Sequence, residues 1–313
     1  MFQQKKIVIA GGTGFIGRAM AERWGADNEV VILSRCQDGQ QSNYYGNDQL
    51  QQNVTTICWD AQTLGDWVKH LEGCDVLINL AGKSVNCRYT EKNKALIMSS
   101  RVDATNVLTQ AIQQAAQPPK LWINGASATI YRHATDRPQD EYTGEIQNDF
   151  SVQVCKAWEQ AFQKASLPQT RKVVLRLAIV FGKDGVLVPY KNLVKYGLGG
   201  RQGSGEQLFS WVHIEDVCRI VEWLDTHTEA TGIYNVSSPN PVKNKELMKQ
   251  LRAQMGMPFG LPASSLMLKM GALLIGTETE LILKSRWVVP TRLLEEGYEF
   301  AYSTVDKALV NLI

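Results

Sequence analysis

The stretch that decides the fold is Lys6-Ile7-Val8-Ile9-Ala10-Gly11-Gly12-Thr13-Gly14-Phe15-Ile16-Gly17. It opens as a short apolar, β-branched run, which reads as a buried strand. Glycines follow without a break, and from Phe15 to Trp24 the apolar residues recur at helical spacing. A strand, a tight turn and a helix in succession aim backbone N–H groups and the positive end of a helix dipole at one point, where an anion can sit. Gly11, Gly14 and Gly17 stand where a Cβ would collide with a diphosphate or with the sheet. The segment therefore reads as the phosphate loop of a dinucleotide site.

Further strand runs follow at Glu29–Leu33, Thr55–Trp59, Val76–Leu80, Leu121–Asn124 and Val173–Leu177, with helical patterns at Asn93–Ala116 and Val152–Lys164. Continuous apolar strands alternating with helices imply a parallel sheet covered on both faces. The expected fold class is α/β, a Rossmann-type doubly wound parallel sheet with a smaller C-terminal substrate lobe. The cofactor domain is placed at residues 1–182, with return elements from about 207 to 237, and the smaller lobe at residues 183–313. Within that lobe a glycine-rich stretch, Gly197–Gly205, reads either as a lid over substrate, with Arg201 on an anion, or as a plain loop. A helix is expected over Asn244–Met255.

The chain has 313 residues, and its 33 basic and 31 acidic residues leave a net charge of +2, too little to gather nucleic acid or an anionic membrane. Its six cysteines (Cys36, Cys58, Cys74, Cys87, Cys155, Cys218) form no C-x-x-C pair and no His lies at metal-ligand spacing, so neither a disulfide framework nor a metal site is expected. The start of the chain lacks the order of a secretory signal, and the apolar stretch Leu266–Ile275 is too short to span a bilayer. These features point to a cytoplasmic protein acting on a small molecule. Periodicity does not separate a helix pair buried within one chain from one buried in a homodimer, and both stay open.

The second strand ends in Leu33-Ser34-Arg35. An NAD site places a carboxylate there to accept from the adenosine ribose. A hydroxyl and a guanidinium suit a 2′-phosphate instead, because Arg offers a charge-assisted fork and nothing repels the anion. NADP(H) is the expected cofactor.

Beyond this point the chain resembles the atypical, extended short-chain dehydrogenase/reductases of the epimerase family. The residues that carry the resemblance are the G-x-x-G-x-x-G loop, Asn79-Leu80-Ala81-Gly82, Ser100-Arg101, Ser127-Ala128-Thr129, Cys155 with Trp158-Glu159, Gly203-Ser204-Gly205 and Ser210-Trp211-Val212-His213-Ile214. Val289-Pro290-Thr291-Arg292-Leu293 and Gly297-Tyr298-Glu299-Phe300 look like that family's small C-terminal domain of unknown function. The resemblance implies cofactor contacts from Thr13, Gly14, Phe15 and Ile16, from Ser34 and Arg35, from Leu80 and Ala81, from Arg101 and from Val180. Gly82 joins Leu80 and Ala81 at the C-terminal end of a strand, where small residues let a ribose approach.

Enzymes of this class usually move a proton with a Tyr-x-x-x-Lys pair one helical turn apart, the ammonium lowering the phenol pKa. Here the corresponding positions hold Ser151 and Cys155 or, in the other register, Val152 and Lys156. Neither supplies a phenol. The candidate catalytic residues are Ser127, which would orient a substrate carbonyl, and Tyr131, the nearest phenol. Cys155 reads as a buried, inert thiol, and His213 as a packed residue at the lobe junction.

Overall fold

The computed structural model describes residues 1–35, 53–264, 267–268 and 284–313. Cys36 and most of the apolar stretch Leu266–Ile275 lie outside the described residues. The central sheet has seven strands, all parallel: β1 (Lys6–Ala10), β2 (Glu29–Ser34), β3 (Val54–Cys58), β4 (Val76–Asn79), β5 (Leu121–Ser127), β6 (Arg171–Leu177) and β10 (Gly232–Val236). Their spatial order is β10-β6-β5-β4-β1-β2-β3. The chain starts at β1, builds outward to β3, and then returns to β4 on the other side of β1. Between β1 and β4 lies the switch point, the crevice where such sheets take their ligands.

Strand alternation sorts the apolar residues into two layers. Ile7, Ile9, Val30, Ile32, Ile78 and Ile123 point to one face and are covered by Met20 and Trp24 of α1 (Phe15–Trp24) and by Val217, Ile220 and Val221 of α5 (Ile214–Thr226). Val8, Val31, Leu33, Leu77 and Trp122 point to the other, under Ala104, Leu108 and Ala111 of α2 (Glu91–Gln114) and Phe162 of α3 (Phe150–Lys164). A sheet buried on both sides needs the near-continuous apolar strands that the sequence carries.

Helix starts fall where side chains cap them. Thr90 accepts from Asn93 N–H, so α2 begins two residues before the expected Asn93, and Asp149 accepts from Val152 N–H, so α3 begins at Phe150. Beside this sheet, β7 (Ile179–Phe181) pairs with β9 (Trp211–His213) and β8 (Leu208–Phe209) with β11 (Val242–Lys243), and the helices α4 (Leu187–Lys195) and α6 (Asn244–Gln254) follow. The Gly197–Gly205 stretch is not a free flap: Gly200 and Gly203 donate to Leu261 and Ala263 carbonyls, and Gln202 N–H donates to Asn244 Oδ1 at 2.8 Å. Arg201 turns back on its own loop, donating to the Ser204 carbonyl. One cysteine also departs from expectation. Cys58 is disulfide-bonded, whereas Cys74, Cys87, Cys155 and Cys218 are free thiols. The β2–β3 register sets Cys58 beside Ser34, a proximity that spacing along the chain does not reveal.

Close approach, not flexibility, explains Gly17. A Cβ there would lie 2.5 Å from Gly12 Cα and 2.7 Å from its carbonyl oxygen, all rigid backbone. Gly17→Ala is expected to lower stability by about 1–3 kcal/mol, the usual scale for overpacking, read as a lower urea midpoint at constant m-value. Gly65→Ala, which meets only the edge of Trp67, should stay within about 0.5 kcal/mol of the parent. Equal losses in the two variants would contradict this account.

Candidate functional site

The cleft lies over the C-terminal ends of β1, β2 and β4 and has a volume of about 620 Å³. Gly11, Thr13, Gly14, Ser34, Arg35, Leu80, Ala81 and Gly82 line it together. Two loops make its floor. Gly11, at φ +78°, lets the loop after β1 rest against the loop after β4, since a Cβ would stand 2.9 Å from Ala81 N and Cα. The second loop is clipped by Asn79, whose Oδ1 accepts from Ala81 N–H at 3.1 Å while its Nδ2 donates to Asn124 and Thr105.

α1 starts at the floor with Gly14 as its N-cap, no side-chain cap and no acid in its first turn. Its leading N–H groups, those of Phe15, Ile16 and Gly17, are therefore left for a ligand anion. The side chains of Phe15 and Ile16 serve packing instead. Phe15 fills the space beside Gly182 and Gly185, and Ile16 and Val180 pack against the main core, so neither they nor Gly17 line the cleft.

At the rim Thr13 Oγ1 and Ser34 Oγ share a hydrogen bond at 3.2 Å, and Arg35 is exposed with no ion pair among the described residues. The far wall was not anticipated from sequence. It consists of Trp59, Asp60, Ala61 and Gln62 after β3 and Leu96, Ser99, Ser100 and Asp103 of α2. Asp60 accepts from Gln62 N–H, Thr63 N–H and Thr63 Oγ1, a turn that holds Ala61 at φ +64°. An Asp three residues before a Thr at a strand end is the signal that could have found it.

Arg101 stands behind this wall. Its guanidinium lies over Gly82, where a Cβ would be 3.0 Å from Arg101 Cζ, so the glycine makes room for the arginine as well as for a ligand. Arg101 donates to the Lys83 and Ile97 carbonyls and stacks 5.2 Å from the Trp158 ring. Burial lowers its pKa, and no carboxylate pairs with it among the described residues.

Ser127 ends β5, half-buried, its Oγ accepting from Thr129 N–H at 3.2 Å. Tyr131 is a different case. Its side chain is 2% exposed, its hydroxyl donates to Asn235 Oδ1 and accepts from Arg176 Nη1 at 2.8 Å, and burial raises its pKa. Arg176 in turn forms a two-pronged pair with Glu159, both bonds 2.8 Å and both side chains buried. That phenol ties β10 to β6 and, through Arg176, to Glu159 of α3. On α3 itself Lys156 is exposed, and Cys155 packs among Ala128, Ile130, Tyr131 and Val288 with its thiol pushed up to about 12 by burial. Such a thiol is no nucleophile at neutral pH.

The model of the NAD dependent epimerase/dehydratase family matches residues 7–237, and a domain of unknown function (DUF1731) matches residues 263–312. The chain belongs to the NAD dependent epimerase/dehydratase family. Among its relatives, the epimerase family protein YfhF of Bacillus subtilis is 31% identical, the match covering 98% of this chain and 97% of that one. The mouse epimerase family protein SDR39U1 is 30% identical over 98% of this chain and 99% of that one. The crystal structure of human SDR39U1 with NADPH matches this epimerase-family chain with a TM-score of 0.81 at 28% identity, covering 98% of each. No helix among the described residues is long and apolar enough to cross a membrane.

His213, at the start of α5, caps that helix: its Nδ1 accepts from Glu215 N–H at 3.1 Å, and its ring stacks on Tyr302 at 3.8 Å. Burial lowers the imidazole pKa to about 4, outweighing the Asn311 side chain, which acts in the opposite direction. The folded protein thus refuses a proton that the unfolded chain accepts. Above the ordinary imidazole value of 6.5 both states are neutral and nothing is lost. As pH falls from 6.5 towards 4, stability should drop by about 3 kcal/mol from this residue alone. Urea unfolding across that range should show a shallower fall for His213→Asn, which keeps a capping group without the titration. An unchanged slope would refute the assignment.

Proposed function

We propose that this chain is an NADP(H)-dependent oxidoreductase or epimerase-type enzyme of the extended short-chain dehydrogenase/reductase class, acting on a small carbonyl or hydroxyl compound. The observation that carries the reading is the rim formed by Thr13, Ser34 and Arg35. No carboxylate stands at the end of β2, and a guanidinium open to solvent is free to take a 2′-phosphate. The uncapped start of α1 would hold the diphosphate through Phe15, Ile16 and Gly17 N–H groups, with Gly14 leaving room for it. Arg101 would reach the cofactor across Gly82. The cofactor, when bound, accepts or donates a hydride.

Ser127 is the residue that would meet a substrate carbonyl, its hydroxyl donating while Thr129 N–H fixes the oxygen. The Tyr131 hydroxyl is taken up by Arg176 and Asn235, which leaves it poorly placed for proton transfer. A specific observation favours a second reading, a non-catalytic NADP(H)-binding sensor or regulator: neither Cys155 nor Val152 on α3 can do the work of the usual Tyr/Lys pair.

The two readings part in one assay. Purified protein with NADPH is offered a panel of carbonyl compounds and nucleotide sugars, and reduced-nicotinamide absorbance is followed. Turnover that falls at least about tenfold in Ser127→Ala, with NADPH affinity unchanged, supports the enzyme. Tight NADPH binding without turnover across the panel supports the sensor.

A further inference from the structure

Four large apolar side chains stand in water where two loops meet. Tyr196 is 73% exposed, Leu198 44%, Phe259 61% and Leu261 58%. The loop behind α4 and the loop behind α6 bring them together. Leu261 N–H donates to the Gly197 carbonyl at 2.8 Å and Gly200 N–H to the Leu261 carbonyl at 3.1 Å, and Ala263 N–H carries the pairing on to the Arg201 carbonyl. The Phe259 ring lies against Gly197, where a Cβ would stand 3.7 Å from it. Val194 of α4 and Leu247 and Leu251 of α6 share one buried core, so the two loops rest on a packed base. An exposed apolar residue standing alone is ordinary, but a contiguous group of four marks a binding surface.

Charge gathers around this group and is absent from it. From Tyr196 to Gly200 and from Ala253 to Ser264 no side chain is charged. Yet residues 187–206 and 243–264, which hold both helices and both loops, carry seven basic side chains and two acidic ones, against 33 and 31 in the whole chain. The overall charge of +2 averages over this asymmetry. Lys245, Lys249 and Arg252 follow one another at helical spacing along α6, which sets them on one face leading to the apolar group. Arg252 Nη1 reaches the Gly199 carbonyl at 2.6 Å, and Lys195 stands directly before Tyr196. Of the two acids, Glu206 is shared by Lys243 and Lys245, and Glu246 comes no closer than 3.9 Å to Lys249 Nζ.

We propose that this face docks on a lipid surface carrying anionic headgroups. Leu198, Phe259 and Leu261 enter the acyl boundary, Tyr196 keeps its hydroxyl at headgroup level, and the basic residues around them meet the negative headgroups. Two other occupants fit less well. A second copy in a two-fold contact would set the same basic residues against each other. A nucleic acid strand would neutralise them but leave the aliphatic tips of Leu198 and Leu261 in water. The docking is peripheral and needs no membrane-crossing helix, and none is present among the described residues.

The full chain is mixed with vesicles of phosphatidylcholine alone and of phosphatidylcholine with an equal share of phosphatidylglycerol, and bound protein is measured by co-sedimentation. It should sediment with the mixed vesicles and not with the neutral ones, and less of it as salt rises. Phe259→Ser combined with Leu261→Ser should weaken binding about tenfold or more at an unchanged thermal midpoint, because both side chains already stand in water. Lys249→Glu should weaken it about fivefold or more, whereas Lys164→Glu, the same charge change on α3, should leave it within about twofold. Equal sedimentation with both vesicles or with neither, or binding indifferent to the serine pair and to Lys249→Glu, would overturn the proposal. So would a dimer in light scattering that the serine pair breaks while vesicles bind nothing, which would assign the face to a second copy. A thermal midpoint lowered by the serine pair, without vesicle binding, would overturn it in favour of another part of this chain, and retention of a labelled single-stranded oligonucleotide in place of vesicles would do so in favour of nucleic acid.

Discussion

Everything at the site depends on one backbone contact, the loop after β1 lying against the loop after β4. Residue 11 can sit at φ +78° beside the Ala81 backbone only because it has no side chain, since a Cβ there would stand 2.9 Å from Ala81 N and Cα. That contact closes the floor of the crevice at the switch point, fixes where α1 begins, and so fixes where its unpaired N–H groups aim. Asn79 holds the second loop from beneath by bonding Ala81 N–H, and is itself held by Asn124 and Thr105. A buried polar cluster in which each member is satisfied specifies one arrangement; the same groups unpaired would be costly.

A second constraint explains why the expected proton-transfer pair can be absent without loss of the fold. In place of a Tyr/Lys pair facing the crevice, α3 contributes Glu159 to a buried pair with Arg176, and Arg176 also holds Tyr131. Burial lowers the arginine pKa and the Glu159 partnership more than restores it, so the guanidinium stays charged. Removing either partner would strand a buried charge, a heavier penalty than any gain the pair makes over an apolar core. Tyr131 belongs to that scaffold. The positive charge near the crevice comes from elsewhere, from Arg35 at the rim and from Arg101 on α2 over Gly82.

Much of this was legible in the chain. The strand Lys6–Ala10 and the helix Phe15–Trp24 fall where their periodicity places them, because buried parallel strands and a helix packed on them leave unmistakable apolar patterns. The residues at the ends of β1, β2 and β4 do meet around one cleft. The wall formed by Asp60, Ala61 and Ser99 was not legible, since its residues are polar, lie on separate elements, and meet only through the sheet order. Nor was the role of Tyr131. Hydrogen bonds between residues 45 apart, as for Arg176 and Tyr131, or 76 apart, as for Ser210 and Arg286, leave no trace in local spacing.

We propose that this cleft takes a phosphorylated dinucleotide through Arg35 at its rim. Calorimetric titration of NADPH and NADH into the wild-type chain and into Arg35→Ala tests it most directly. NADPH should bind the wild type about tenfold or more tightly than NADH, and the substitution should bring the two near parity by weakening NADPH alone. NADH binding as tightly as NADPH in the wild type, or a preference that survives the loss of Arg35, would contradict it.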